Sequence, residues 1–65
     1  MPIVEIYVWK GVDQAKKKRL MQEISKDVSE VLGAPLETVE VLINEVPMEN
    51  WGKGGRPASE WGKKL

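Results

Sequence analysis

Few side chains in this sequence can do acid–base chemistry at neutral pH, and that scarcity points to the start of the chain. None of the 65 residues is histidine or cysteine. The usual neutral-pH base, the commonest metal ligand and the thiolate nucleophile are therefore missing. Pro2 directly follows Met1. Removal of that methionine would leave a free secondary amine, and an ordinary α-amino group titrates at about 7.7–8.0. Apolar surroundings or a nearby cation lower such a value by disfavouring the charged form. A nitrogen tuned in this way can act as a general base. With Met1 retained, the same nitrogen is a tertiary amide with no basic lone pair. The plain alternative is that Pro2 opens an edge strand where no N–H is needed. Residue types alone leave both readings open.

Other motifs also admit two readings. Trp9, Trp51 and Trp61 are three tryptophans in a short chain. Each taken separately reads as core or interface, and Trp51, set in a glycine-rich segment, is the one best placed to line a pocket. Gly52-Lys53-Gly54-Gly55 has the look of a phosphate cradle, but such a cradle needs a long helix to follow. A hairpin turn requiring positive φ fits better. Lys16-Lys17-Lys18-Arg19 is the main charge run. Its residues fan around a helix, with Glu23 and Asp27 following, so it reads as a solvated helix face and not a nucleic-acid patch.

The elements that must position these residues follow from periodicity. Ile3 to Trp9 reads as a strand with Val4, Ile6 and Val8 on one face and Ile3, Tyr7 and Trp9 beside Glu5 on the other. Gly11 breaks it. Asp13 is a fitting N-cap, and Leu20, Met21, Ile24, Val28, Val31 and Leu32 recur at three- and four-residue spacing. Gly33 then offers a C′ residue and Pro35 forbids continuation, which predicts a helix over 14–32. Val39 to Glu45 reads as a second strand. The order strand, helix, strand makes a βαβ unit with parallel strands and a right-handed crossover. A turn-rich segment from Pro47 to Pro57 and a short tail, Ala58 to Leu65 with Trp61, complete it. The fold class is α/β: a β-α-β unit with a short C-terminal hairpin, in one domain spanning 1–65. One helix cannot cover both faces of two strands, which leaves Tyr7, Trp9 and Leu42 to another subunit.

Composition narrows the partners. Ten basic residues balance ten acidic ones, so overall charge gives no general attraction to nucleic acid or membrane. No apolar run suits a transmembrane span or signal peptide, and a cytoplasmic location is expected. About 60% of the unfolded surface would be buried by a compact monomer this small, so self-association is expected to supply the missing stability.

Read together, these features resemble the 4-oxalocrotonate tautomerase family. The resemblance runs through Pro2-Ile3-Val4-Glu5-Ile6 after Met1, Gly11 ending the strand, the helix, Ala34-Pro35-Leu36 and Ile43-Asn44-Glu45. It ends in Asn50-Trp51-Gly52-Lys53-Gly54-Gly55, close to the family's aromatic-Gly-x-Gly-Gly loop. It implies a hexamer built from three dimers and cofactor-independent enol–keto tautomerisation of unsaturated 2-oxo acids. The homohexamer is the simplest form, and a heterohexamer with a paralogue is the alternative. By this resemblance Pro2 is the general base that moves a proton from carbon to carbon through a dienol. Trp51 takes the pocket aromatic position, and Trp9 an apolar pocket position at the end of the first strand.

Two positions depart from the family pattern. Val12 stands where the family carries an arginine after the strand-ending glycine, and Glu40 where it carries a second. By the resemblance, those guanidiniums hold the substrate carboxylate and polarise the 2-oxo group. Valine cannot replace a planar bidentate donor, and glutamate repels a carboxylate. Lys10, Lys53 and Arg56 are the cations nearest in sequence that could substitute, and Arg56 joins Trp9 and Trp51 as a candidate substrate contact. Its alternative reading is a solvated turn arginine. Dicarboxylated 2-oxo dienols are thus expected to turn over poorly, and simpler enols such as phenylenolpyruvate relatively better. Val12→Arg combined with Glu40→Arg should raise kcat/KM for the dicarboxylate by about tenfold or more, the worth of a charged hydrogen bond. An unchanged value would show that other residues already hold the carboxylate.

Overall fold

A computed structural model describes residues 1–64, with side chains described through Trp61; the end of the expected tail, at Leu65, lies outside the described residues. Strand β1 (Ile3–Trp9) leads into helix α1 (Gln14–Leu32), and β2 (Glu40–Val46) returns beside β1. A hairpin of β3 (Gly52–Lys53) and β4 (Arg56–Pro57) precedes a final 3₁₀ segment, Ala58–Lys64.

The helix ends are fixed by the two expected caps. The Asp13 carboxylate accepts from the Lys16 backbone N–H at 2.8 Å. Gly33 sits in the left-handed region at φ 70° and donates its N–H to the Ser29 carbonyl. The chain then turns through a short 3₁₀ segment, Leu36–Thr38, whose last bond runs from the Val39 N–H to the Leu36 carbonyl at 3.1 Å. That bond engages Val39 in the turn, so β2 begins one residue later than the apolar pattern suggests. At the other end the Lys10 N–H donates to the Val46 carbonyl at 2.9 Å, which carries the strand one residue further.

β1 and β2 pair in parallel, from Ile3 opposite Glu40 to Trp9 opposite Val46. Alternation places Val4, Ile6 and Val8 half-buried on one side, the side on which α1 crosses with Ile24 and Val28, both half-buried. Lys17 turns out of the basic run to bridge Glu45 at 3.1 Å, while Lys16, Lys18 and Arg19 remain exposed as a solvated face does. The other side of the sheet is open, and Tyr7 is 59% exposed there. The helix stripe is also only partly used. Val31 and Leu32 are 82% and 66% exposed, because a two-stranded sheet is too narrow to cover the whole apolar face of a nineteen-residue helix.

Size measurements agree. The radius of gyration is 15.2 Å, against about 11 Å for a compact chain of this length. The accessible surface is 5090 Å², against about 4,200 Å² for a folded monomer of this mass. No helix among the described residues is long and apolar enough to cross a membrane. Another protein surface is the fitting cover for this much exposed apolar area. The melting temperature should therefore fall on serial dilution, since association stabilises by mass action. A folded monomer with a concentration-independent transition would contradict this account.

Candidate active site

Pro2 lies at the head of β1. Its carbonyl accepts from the Glu40 N–H at 3.0 Å, so the first bond of the parallel ladder fixes the residue that precedes the strand. Glu40 stands in register beside Ile3 and is exposed. Pro2 itself is half-buried, and Met1 projects with 75% of its surface exposed.

The tryptophans gather at the far end of the same strand. Trp9 is the last residue of β1, and its ring meets Trp51 edge-on at 6.1 Å between centroids, with the planes at 81°. Trp61 packs against Trp9 from the final 3₁₀ segment at 5.8 Å and 62°. Each such edge-on pair contributes about 0.5–1.5 kcal/mol beyond area burial.

The hairpin holds Trp51 in place. The Trp51 N–H donates to the Met48 carbonyl at 3.2 Å, and the Trp51 carbonyl accepts from the Ala58 N–H at 2.7 Å. Ala58 is 5% exposed. At the tip, Gly54 and Gly55 have φ of 61° and 83°, the paired positive values of a two-residue turn that matches strand twist. The glycine-rich segment is therefore the hairpin, and among the described residues no long helix follows it.

This hairpin also carries the cations. Lys53 and Arg56 are register partners. The Lys53 ammonium lies 5.9 Å from the Trp61 ring centroid. The Arg56 guanidinium donates to the Glu60 carbonyl at 3.3 Å, and the Trp61 indole N–H donates to the Arg56 carbonyl at 3.1 Å. The sequence-derived candidates Trp9, Trp51 and Arg56 are thus brought to one end of the chain. Pro2 is not brought to them. Seven residue steps of strand separate it from Trp9, about 23 Å at ~3.3 Å per residue. Lys53 and Trp61 join the cluster, although sequence reasoning had no role for Trp61 beyond packing. The usable signal was the turn: closing it at Gly54-Gly55 folds the tail back toward Trp51. Val12 lies half-buried just before the helix cap, three residues past Trp9, while Glu40 is at the Pro2 end.

A small βαβ chain with a proline at its head and an aromatic, cation-bearing hairpin defines the class. Residues 2–60 match the family model described as "Tautomerase enzyme". The 2-hydroxymuconate tautomerase of Pseudomonas putida is 43% identical over 63 residues, covering 97% of this chain and all of that one. Among solved structures, TomN, a 4-oxalocrotonate tautomerase homologue of the tomaymycin biosynthetic pathway, superposes with a TM-score of 0.90 at 29% identity, covering 95% of each chain. A heterohexameric 4-oxalocrotonate tautomerase from Chloroflexus aurantiacus superposes at 0.87 with 28% identity, covering 94% of this chain and 98% of that one. The chain belongs to the tautomerase family, whose members are isomerases.

The glycines give a direct test of how the aromatic end is built. Gly55→Ala forces a side chain into the left-handed region and should cost about 1–2 kcal/mol. Gly52→Ala, which meets nothing within 4 Å and carries no positive φ, should cost far less. Chemical denaturation of both variants reads the difference, and equal midpoints would mean that the turn is not held in this form.

Proposed function

We propose that this tautomerase shifts a proton on a small 2-oxo acid or related enolisable carbonyl compound, with Pro2 as general base once Met1 has been removed. The observation that carries the reading is the family match beginning at residue 2, with Pro2 anchored at the head of β1 by its carbonyl. The amine takes a proton from the enol hydroxyl, or from the carbon next to the carbonyl, and the electron pair spreads over the carbonyl oxygen and the conjugated carbons. The resulting ammonium returns the proton to a conjugated carbon, so the product is an isomer of the substrate. Developing negative charge on oxygen requires a donor nearby. Arg56 is the candidate for it or for the substrate carboxylate, while Trp9 and Trp51 form the apolar wall.

The roughly 23 Å between Pro2 and this wall cannot be closed within one chain. One pocket using both therefore draws Pro2 from one copy and the aromatic hairpin from another, a reading in keeping with the open sheet face. A hexamer of this chain is the assembly proposed, as implied by the family resemblance. A second form, in which an arginine-bearing paralogue completes the pocket, is favoured by Val12 and Glu40 and by the heterohexameric relative.

The ascending limb of the kcat/KM pH profile should report the free amine, at a value below the ordinary α-amino range because the apolar wall disfavours the cation. Glu40 near the site would make that depression smaller. Retaining Met1, or alkylating the nitrogen with a bromo-oxo acid, should abolish turnover and leave the assembly intact. Undiminished turnover by the blocked protein would reject the proline mechanism and turn attention to Glu5 or Glu40. Oligomers reassembled from Pro2-blocked chains and Trp51→Ala chains should regain activity that neither parent has. No recovery would mean that base and wall are not contributed by different copies.

A further inference from the structure

We infer that Trp61 is a positioning residue of this pocket, acting through Arg56; the inference rests on the substrate contact proposed for Arg56. Trp61 is where the aromatic and the cationic parts of the hairpin end meet. Its ring packs on Trp9 at 5.8 Å, its face lies 5.9 Å from the Lys53 ammonium, and its indole N–H donates to the Arg56 carbonyl at 3.1 Å. The Arg56 guanidinium answers with a bond to the Glu60 carbonyl at 3.3 Å. Residue 56 is therefore clasped to the final 3₁₀ segment twice, once through its backbone and once through its side chain.

Burial alone does not demand this clasp. Trp61 is only half-buried and Arg56 is exposed, so water could satisfy the indole N–H and the carbonyl equally well. Together the two bonds restrict where the guanidinium lies relative to the Trp9–Trp51 wall. One of its five N–H groups is committed to Glu60, which leaves the rest of the planar fork for a carboxylate or an enolate oxygen. Without the Trp61 bond, only the guanidinium's contact with the Glu60 carbonyl would tie residue 56 to the final segment, and more of its ordering entropy would have to be met at each binding event. With valine at position 12 and glutamate at position 40, a guanidinium held in advance has particular value here.

The test uses the intact assembled protein, with phenylenolpyruvate as substrate, and compares native, W61F, R56Q and the double variant. W61F should raise KM about 2- to 12-fold, the worth of one neutral hydrogen bond, with kcat little changed because the lost term is uniform binding. In the R56Q background the same substitution should leave KM nearly unaltered, since residues acting through one another are not additive. An equal rise in both backgrounds, or none in the native one, overturns the positioning role. R56Q with an unchanged KM would overturn the substrate contact at Arg56 as well, so the two failures are distinct. Should W61F not assemble, benzothienylalanine at position 61 keeps the bicyclic ring and deletes only the N–H, and the same outcomes apply.

Discussion

The parallel pairing of β1 with β2 is the constraint from which the other features follow. Its first bond, from Glu40 to the Pro2 carbonyl, sets the base candidate. Its last residue pair, Trp9 opposite Val46, sets the platform on which the hairpin tryptophans rest. A parallel pair requires a crossover, so the only helix between these strands is committed to one face. The other face stays apolar and open. The proposed association, and the pocket proposed to be shared between copies, both answer to a sheet of two parallel strands with no third.

The energetic arrangement is uneven along the chain. The βα half is held by ordinary means: caps at Asp13 and Gly33, the half-buried side chains of Ile24 and Val28 on the helix and of Val4, Ile6 and Val8 on the strand, and one bridge from Lys17 to Glu45. Among the described side chains, the hairpin half has almost no core of its own. Ala58 is its buried residue, and its remaining cohesion comes from backbone bonds around Trp51, edge-on ring contacts and the Trp61–Arg56 clasp. Elements with few buried contacts sit at the low end of local stability, and pocket residues are commonly found there.

Much of the fold was legible because local signals and tertiary demands agree. Asp13, Gly33 and Pro35 bound a helix whose limits match the sequence pattern, and Gly54-Gly55 announce a hairpin turn. The second strand shifted by one residue because Val39 is apolar and β-branched but engages a 3₁₀ bond that no pattern of side chains displays. The apolar stripe of the helix suggested one buried face, whereas Val31 and Leu32 overhang the narrow sheet. For the proposed site, the candidates Pro2, Trp9, Trp51 and Arg56 come from residue type, motif and family resemblance. Their division between the two ends of a strand, and the joining of Lys53 and Trp61 to the aromatic end, depend on how the tail folds back after Pro57. The Gly54-Gly55 turn signals that the tail reverses, but sequence spacing does not encode which rings and cations then meet.

Gathering every indole into one cluster has an optical consequence. The chain has three tryptophans, and the contacts of Trp9 with Trp51 and with Trp61 join all of them at the hairpin end. Light absorbed at the red edge of the ultraviolet spectrum is therefore collected almost wholly at the proposed pocket wall, and rings this close exchange excitation before they emit. The helix and the middle of the sheet contribute little to that signal. Intrinsic emission thus serves as a built-in local probe of the wall, insensitive to events elsewhere in the subunit and requiring no attached label.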